Sequence, residues 1–373
     1  MPTIYLCIGT MKTGTTSIQS YLKRNQTQLN KQGYCYPDIP TENRNAHNRN
    51  GHFLVFTSKK ENLKEREIEE VKTRETGKKI LEEKAKEYEN IILSEELIWH
   101  HARKFPGFWE NLKGYCDSKG FLLKIVVYLR RQDELVESLW NQNIKSEKRW
   151  SIPFSDYIDQ GVYKYFPLYY YRKLKSIEKY VGKENMIVRA FEKGQFKDGN
   201  LISDFLDCVG LQKTEEFQEL SQQKNIRLND TFLEIRRKIN DSEAYQEFED
   251  DFLRVPLSRA NIKYNEATSK KRMFDEVAQK KFMTTYEQTN AKVAREYLGR
   301  KDGRLFYETK MKEGYKEPNS QQMLDQYLAF SVEYMCKQQR EIRRLKEERN
   351  NRNTGLKAIP QRAYRKIQHM IRK

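Results

Sequence analysis

Near the amino end, Gly9-Thr-Met-Lys-Thr-Gly-Thr-Thr places two glycines, one lysine and four threonines within eight residues. An apolar, β-prone run, Ile4-Tyr-Leu-Cys-Ile, leads into it, and a helical pattern starts near Thr16. The order is strand, loop, helix. At such a junction the unpaired amides of the first helical turn and the positive end of the helix dipole converge on one point, which makes an anion site. The spacing is that of a phosphate-binding loop, with Gly9, four residues, Gly14, two more positions and a final Thr16. ATPases and GTPases carry a lysine where this chain has Thr15. Here the cation comes three residues earlier, as Lys12.

A second group of charges lies about 115 residues on. Leu122-Leu-Lys-Ile-Val-Val-Tyr-Leu is nearly all apolar, the pattern of a strand covered on both faces. It ends in Arg130 and Arg131, where a P-loop NTPase commonly has its magnesium aspartate. A guanidinium there meets an anion directly, and its planar fork suits phosphate. Ser138, eight residues past Arg130, falls two turns into the following helix. The plainer reading pairs these arginines with Asp133, Glu134 or Glu137.

Taken together, these residues resemble those of sulfotransferases that use 3′-phosphoadenylyl sulfate, bacterial members most closely. The similarity runs through Lys12-Thr-Gly-Thr-Thr-Ser-Ile-Gln, Tyr128-Leu-Arg-Arg-Gln-Asp-Glu, Asn185-Met-Ile-Val-Arg-Ala-Phe-Glu and the segment 290–306. It implies that Lys12, Thr13, Gly14, Thr15 and Thr16 hold the 5′-phosphosulfate and that Arg130 and Ser138 hold the 3′-phosphate. Phe191 would stack on adenine; the alternative is a core phenylalanine. Met11 stands where many members have proline, which removes no contact atom. The implied acceptor is a hydroxyl or amine, on a bacterial glycan or glycolipid.

Transfer to a hydroxyl needs a general base, typically His or Glu. His52, in the polar stretch Asn50-Gly-His-Phe, is one candidate, with His47 close by. Glu96 is another; Glu95 and Glu96 follow a short buried strand, Ile91-Ile-Leu-Ser, at the edge where open α/β sheets bind ligands. No metal cluster is expected. Two rivals remain open: a P-loop kinase using Mg-ATP, and a basic nucleic-acid-binding protein. The first lacks its lysine and its aspartate. The second lacks interleaved basic and aromatic residues, so nucleic acid is not expected as a partner.

These groups need a frame. Strands at residues 4–8, 91–94, 122–129 and 186–189 alternate with helical patterns, including 201–209, which predicts a P-loop NTPase-like α/β fold, a parallel sheet flanked by helices. Residues 211–310 read as mostly helical, and the expected division is a domain over 1–310 and a basic helical extension over 311–373. The chain has 373 residues, 37% of them hydrophobic, and no apolar run approaches transmembrane length. Five cysteines without a Cys-x-x-Cys argue against a disulfide framework or a zinc site. The first strand starts within three residues of Met1, leaving no room for a signal peptide, so a cytoplasmic location is expected. The net charge of +17 is uneven: residues 331–373 hold 13 Lys or Arg against 4 Glu. The helical part of this tail carries Met335, Ile342 and Leu345 on a sparse apolar face. A solvated surface helix or a peripheral contact with an anionic membrane fits it.

Overall fold

The computed structural model describes residues 1–40, 48–220, 228–247, 252–264, 273–308 and 319–357, with side chains through 349. His47 and the basic stretch 358–373 lie outside the described residues. The strands are β1 (Thr3–Cys7), β2 (Tyr34–Cys35), β3 (Asn90–Ser94), β4 (Leu122–Leu129) and β5 (Met186–Ala190). The helices are α1 (Thr15–Arg24), α2 (Gln26–Lys31), α3 (Leu63–Lys84), α4 (Leu97–His101), α5 (Phe108–Ser118), α6 (Gln132–Lys145), α7 (Phe154–Asp159), α8 (Tyr170–Val181), α9 (Leu201–Val209), α10 (Asp230–Asn240), α11 (Glu243–Gln246), α12 (Arg254–Lys263), α13 (Glu276–Leu298) and α14 (Ser320–Lys357).

All five strands are parallel, in the order β2-β3-β1-β4-β5. After β1 the chain crosses to the edge strand β2, steps back to β3 beside β1, and then builds outward on the other side through β4 and β5. The order reverses at β1, which puts the carboxyl ends of β1 and β4 where such sheets bind ligands. The expected α/β fold with a parallel sheet flanked by helices is present. Tyr34 and Cys35 form a short edge strand, so 186–190 is the fifth strand rather than the fourth.

One face of the sheet buries Tyr5, Cys7, Ile92, Val126 and Tyr128 against Ile18, Tyr21 and Leu22 of α1 and Phe205, Leu206 and Val209 of α9. On the other, α5 and α8 pack on β4. Covering both faces is what makes these strands read as continuous apolar runs. The charged stretch after residue 59 forms one helix, α3, capped by Asn62, whose side chain accepts from the amides of Lys64 and Glu65. It approaches closely at Gly77, where a Cβ would fall 2.3 Å from the ring of Phe53.

The chain divides into two compact units. The first comprises Met1–Trp140, Phe154–Lys224 and Arg272–Gly314 and contains the sheet. The second comprises Asn141–Pro153, Asn225–Lys271 and Tyr315–Lys373. The second unit thus draws on two segments that precede residue 311 as well as on the carboxyl-terminal one. Within the second unit, the Asn240 amide donates to the carbonyls of Ile144 and Trp150 at 2.8 and 2.9 Å, and α12 packs on α14.

Candidate functional site

The loop after β1 is fixed by the strand beside it. Thr10 donates its amide to Tyr128 O at 2.9 Å, and Gly9 O accepts from the Tyr128 amide at 2.8 Å. The Thr13 hydroxyl donates to Thr10 O at 2.6 Å and closes the turn. Three residues then take left-handed backbone: Gly9 at φ 104°, Lys12 at 65° and Gly14 at 72°. Glycine takes this without cost, but lysine does not, so Lys12 is held in a strained conformation of the kind found where a loop is pre-shaped for function. Gly14 caps α1, and Thr15 and Thr16 open its first turn. Their amides have no partner within the helix and face outward from its amino end. A Cβ on Gly14 would lie 2.3 Å from Leu201 Cδ2 and 3.5 Å from Phe191 Cε2, so the cradle has no room for a larger residue.

β4 delivers Arg130 to this loop. Its Nη1 donates to Lys12 O at 2.9 Å, and its guanidinium lies 5.7 Å from the centre of the Phe191 ring, which β5 supplies. The Arg130 carbonyl accepts from Tyr170 Oη at 2.5 Å, which anchors the strand end. Arg130 Nε also meets Glu134 at 3.3 Å, so the plainer carboxylate pairing exists beside the loop contact. Ser138 lies one turn beyond Glu134 in α6 and is half-buried. Arg131 turns elsewhere, to Asp133 at 3.1 Å and to Glu308 O at 2.6 Å. Of the two guanidiniums, that of Arg130 reaches the loop. Burial lowers the pKa of the Lys12 ammonium, and the neighbouring Arg130 charge lowers it further, while Glu96 opposes both. Two crowded cations at a helix amino end favour an anion between them.

β3 contributes the carboxylates. Glu96 is half-buried and accepts at 2.9 Å from Gln19 Nε2 of α1, which also reaches Ser94 Oγ at 3.1 Å. Its backbone carbonyl and Cβ lie 3.2 and 3.3 Å from where a Cβ on Gly9 would sit, so Glu96 stands directly against the loop. Glu95 is only 1% exposed. It pairs with Arg49 at 3.0 Å and accepts from the Leu97 amide at 3.1 Å. Burial pushes its carboxyl up to about 7, against the pull of Arg49.

The expectation for His52 meets a ring already committed to the fold. His52 is buried, with Nδ1 3.1 Å from Arg49 O and Nε2 3.1 Å from Pro40 O. Burial lowers its pKa. Both ring nitrogens thus face backbone carbonyls, and a neutral ring can donate to only one of them. The polar sequence around it suggests a surface loop, but Phe53 docks on Gly77 and draws its neighbour inward.

Three pairings join residues that lie well apart in the sequence. Glu192, one residue past Phe191, is buried and accepts from the amides of Tyr307 and Glu308, clamping that segment to the end of β5. Gln132 and Asn290 exchange side-chain hydrogen bonds of 2.7 and 3.0 Å, tying α13 to the start of α6. The third is the Arg49–Glu95 pair. Among the described residues, no group of three or more His, Cys, Asp or Glu is placed to hold a metal ion. No described helix is long and apolar enough to cross a membrane.

No protein-family model matches the chain. An uncharacterized protein of Archaeoglobus fulgidus is 31% identical over 179 residues, covering 48% of this chain and 47% of that protein. The chain thus spans about half the length of the curated relative it matches. A solved sulfotransferase from Alicyclobacillus acidocaldarius is similar at a TM-score of 0.38 and 14% identity, over 66% of this chain and 96% of that one.

Proposed function

We propose that the protein is a sulfotransferase that moves the sulfuryl group of 3′-phosphoadenylyl sulfate to a hydroxyl or amine. The observation that carries this reading is the meeting of Lys12, Arg130 and the amino end of α1 at the carboxyl ends of β1 and β4, with Glu96 against the same loop. The residues fit the donor: the cradle at Gly14 admits no Cβ, and its cations crowd one another. When bound, the donor supplies a sulfuryl group whose bond to a bridging phosphate oxygen breaks as the acceptor's oxygen or nitrogen forms the new bond to sulfur.

The amides of Thr13, Gly14, Thr15 and Thr16 then bind the 5′-phosphate. Lys12 neutralises the negative charge left on the bridging oxygen. Arg130, with Ser138 on the adjoining helix, binds the 3′-phosphate, and Phe191 offers its ring to adenine. Glu96 takes the acceptor's proton. No metal is required by these roles. A glycan or glycolipid is the proposed acceptor class, and the proposed setting is the cytoplasm, with the basic tail drawing the enzyme to an anionic membrane surface.

The test is incubation with donor labelled in its sulfate, together with glycan, lipid and metabolite fractions. Label should move into one fraction with wild-type protein, and Glu96→Gln should abolish this while retaining nucleotide binding. Phosphoryl transfer from Mg-ATP without sulfuryl transfer would replace this reading with a kinase.

A further inference from the structure

The long helix α14 carries an apolar seam that nothing among the described residues covers. Leu324, Leu328, Met335, Ile342 and Leu345 are each about half exposed. They follow one another at intervals of four, seven, seven and three residues. That is the a/d pattern of a coiled coil, with Leu328, Met335 and Ile342 at a, and Leu324 and Leu345 at d. The seam does not face the helix's own unit. Packing within that unit uses another face, where Phe330 is buried, Tyr334 lies 5.7 Å from the ring of Phe252, and Glu333 pairs with Lys263 at 2.8 Å.

We propose that α14 pairs in parallel with α14 of a second copy of this chain. The residues flanking the seam argue for this occupant and this direction. In a parallel, in-register pair each g residue faces the e residue five positions later on its partner. Tyr327 at g would then face Val332 at e, both about half exposed and apolar. Glu341 at g would face Lys346 at e, with opposite charges. These two flanking pairs match, apolar with apolar and charge with opposite charge; Tyr334 at g, which packs on Phe252, would face Gln339 at e. An antiparallel pairing would set the apolar flanks near one end against the charged flanks near the other. Ser331 and Gln338 occupy the remaining d positions, and polar residues in a seam fix register at some cost in stability. The helix has 38 residues, about 57 Å at 1.5 Å per residue, ample for several heptads.

The experiment is sedimentation velocity on the full chain across a range of concentrations, with variants. Wild-type protein should dimerise, and Leu328→Lys and Ile342→Lys should each shift it to monomer with unchanged nucleotide binding. Glu341→Lys should weaken the dimer at least threefold, and adding Lys346→Glu should restore it. In a Cys336→Ser background, Leu345→Cys should form a disulfide-linked dimer on mild oxidation, as only a parallel pair brings position 345 against itself. Protein that stays monomeric at all concentrations overturns the proposal, as does a dimer indifferent to both lysine variants. Binding of the wild-type monomer to anionic vesicles that Leu328→Lys abolishes would assign the seam to a membrane instead.

Discussion

Lys12 and Arg130 are both cations beside one loop, yet their surroundings assign them different work. Lys12 sits inside the loop, in left-handed backbone. Arg130 reaches it from β4 and is shared between Lys12 O and Glu134. Lys12→Ala should therefore lower turnover far more than nucleotide affinity, as single-turnover kinetics set against calorimetry would show. Arg130→Ala should weaken nucleotide binding by about 1.5–3 kcal/mol, the range for a charged hydrogen bond. Glu134→Gln should act in the opposite sense, because it releases Arg130 from a competing carboxylate; a severalfold tighter nucleotide is expected. If Arg131→Ala and not Arg130→Ala weakened binding, the wrong guanidinium would have been placed at the phosphate.

At the level of elements, the loop's shape depends on what packs around it. Gly14→Ala strains a residue at φ 72° and drives a methyl into Leu201 of α9. It should lower both the thermal midpoint and nucleotide affinity, measured by calorimetry on the purified variant. Glu95 gives β3 a pH dependence. Its carboxyl is raised by burial from 4.5 to about 7, so its contribution to stability is full below pH 4.5 and is lost as pH rises to about 7. Glu95→Gln should flatten that part of the stability profile by roughly 3 kcal/mol, read from denaturant unfolding at stepped pH.

The same elements show what a sequence can and cannot disclose. The loop, the apolar strand ending in Arg130 and the carboxylates after β3 are local patterns, and strand periodicity places them together at one sheet edge. Glu192 binds amides 115 and 116 residues away. Gln132 binds Asn290 across 158 residues. Such pairs are ordinary polar residues in sequence and acquire meaning only when the fold joins them. His52 illustrates the converse, since its polar neighbours conceal the burial that Phe53 imposes.

On the scale of the whole molecule, the net charge of +17 and its concentration beyond residue 331 bear on which surfaces the protein meets. Each Lys or Arg near an anionic bilayer contributes roughly 1 kcal/mol, so a few suffice for reversible docking. Truncation after Asn350 should leave nucleotide binding unchanged and reduce sedimentation with anionic liposomes at low salt. The truncated chain retains the α14 seam through Leu345, so it separates membrane docking from self-association. The central claim, however, is that this fold holds a donor nucleotide between Lys12 and Arg130. Isothermal titration of the full chain with 3′,5′-adenosine bisphosphate, beside Mg-ATP, measures it most directly. Tight binding of the bisphosphate without magnesium, weakened by Arg130→Ala, is the predicted result; tight binding of Mg-ATP and none of the bisphosphate would contradict it.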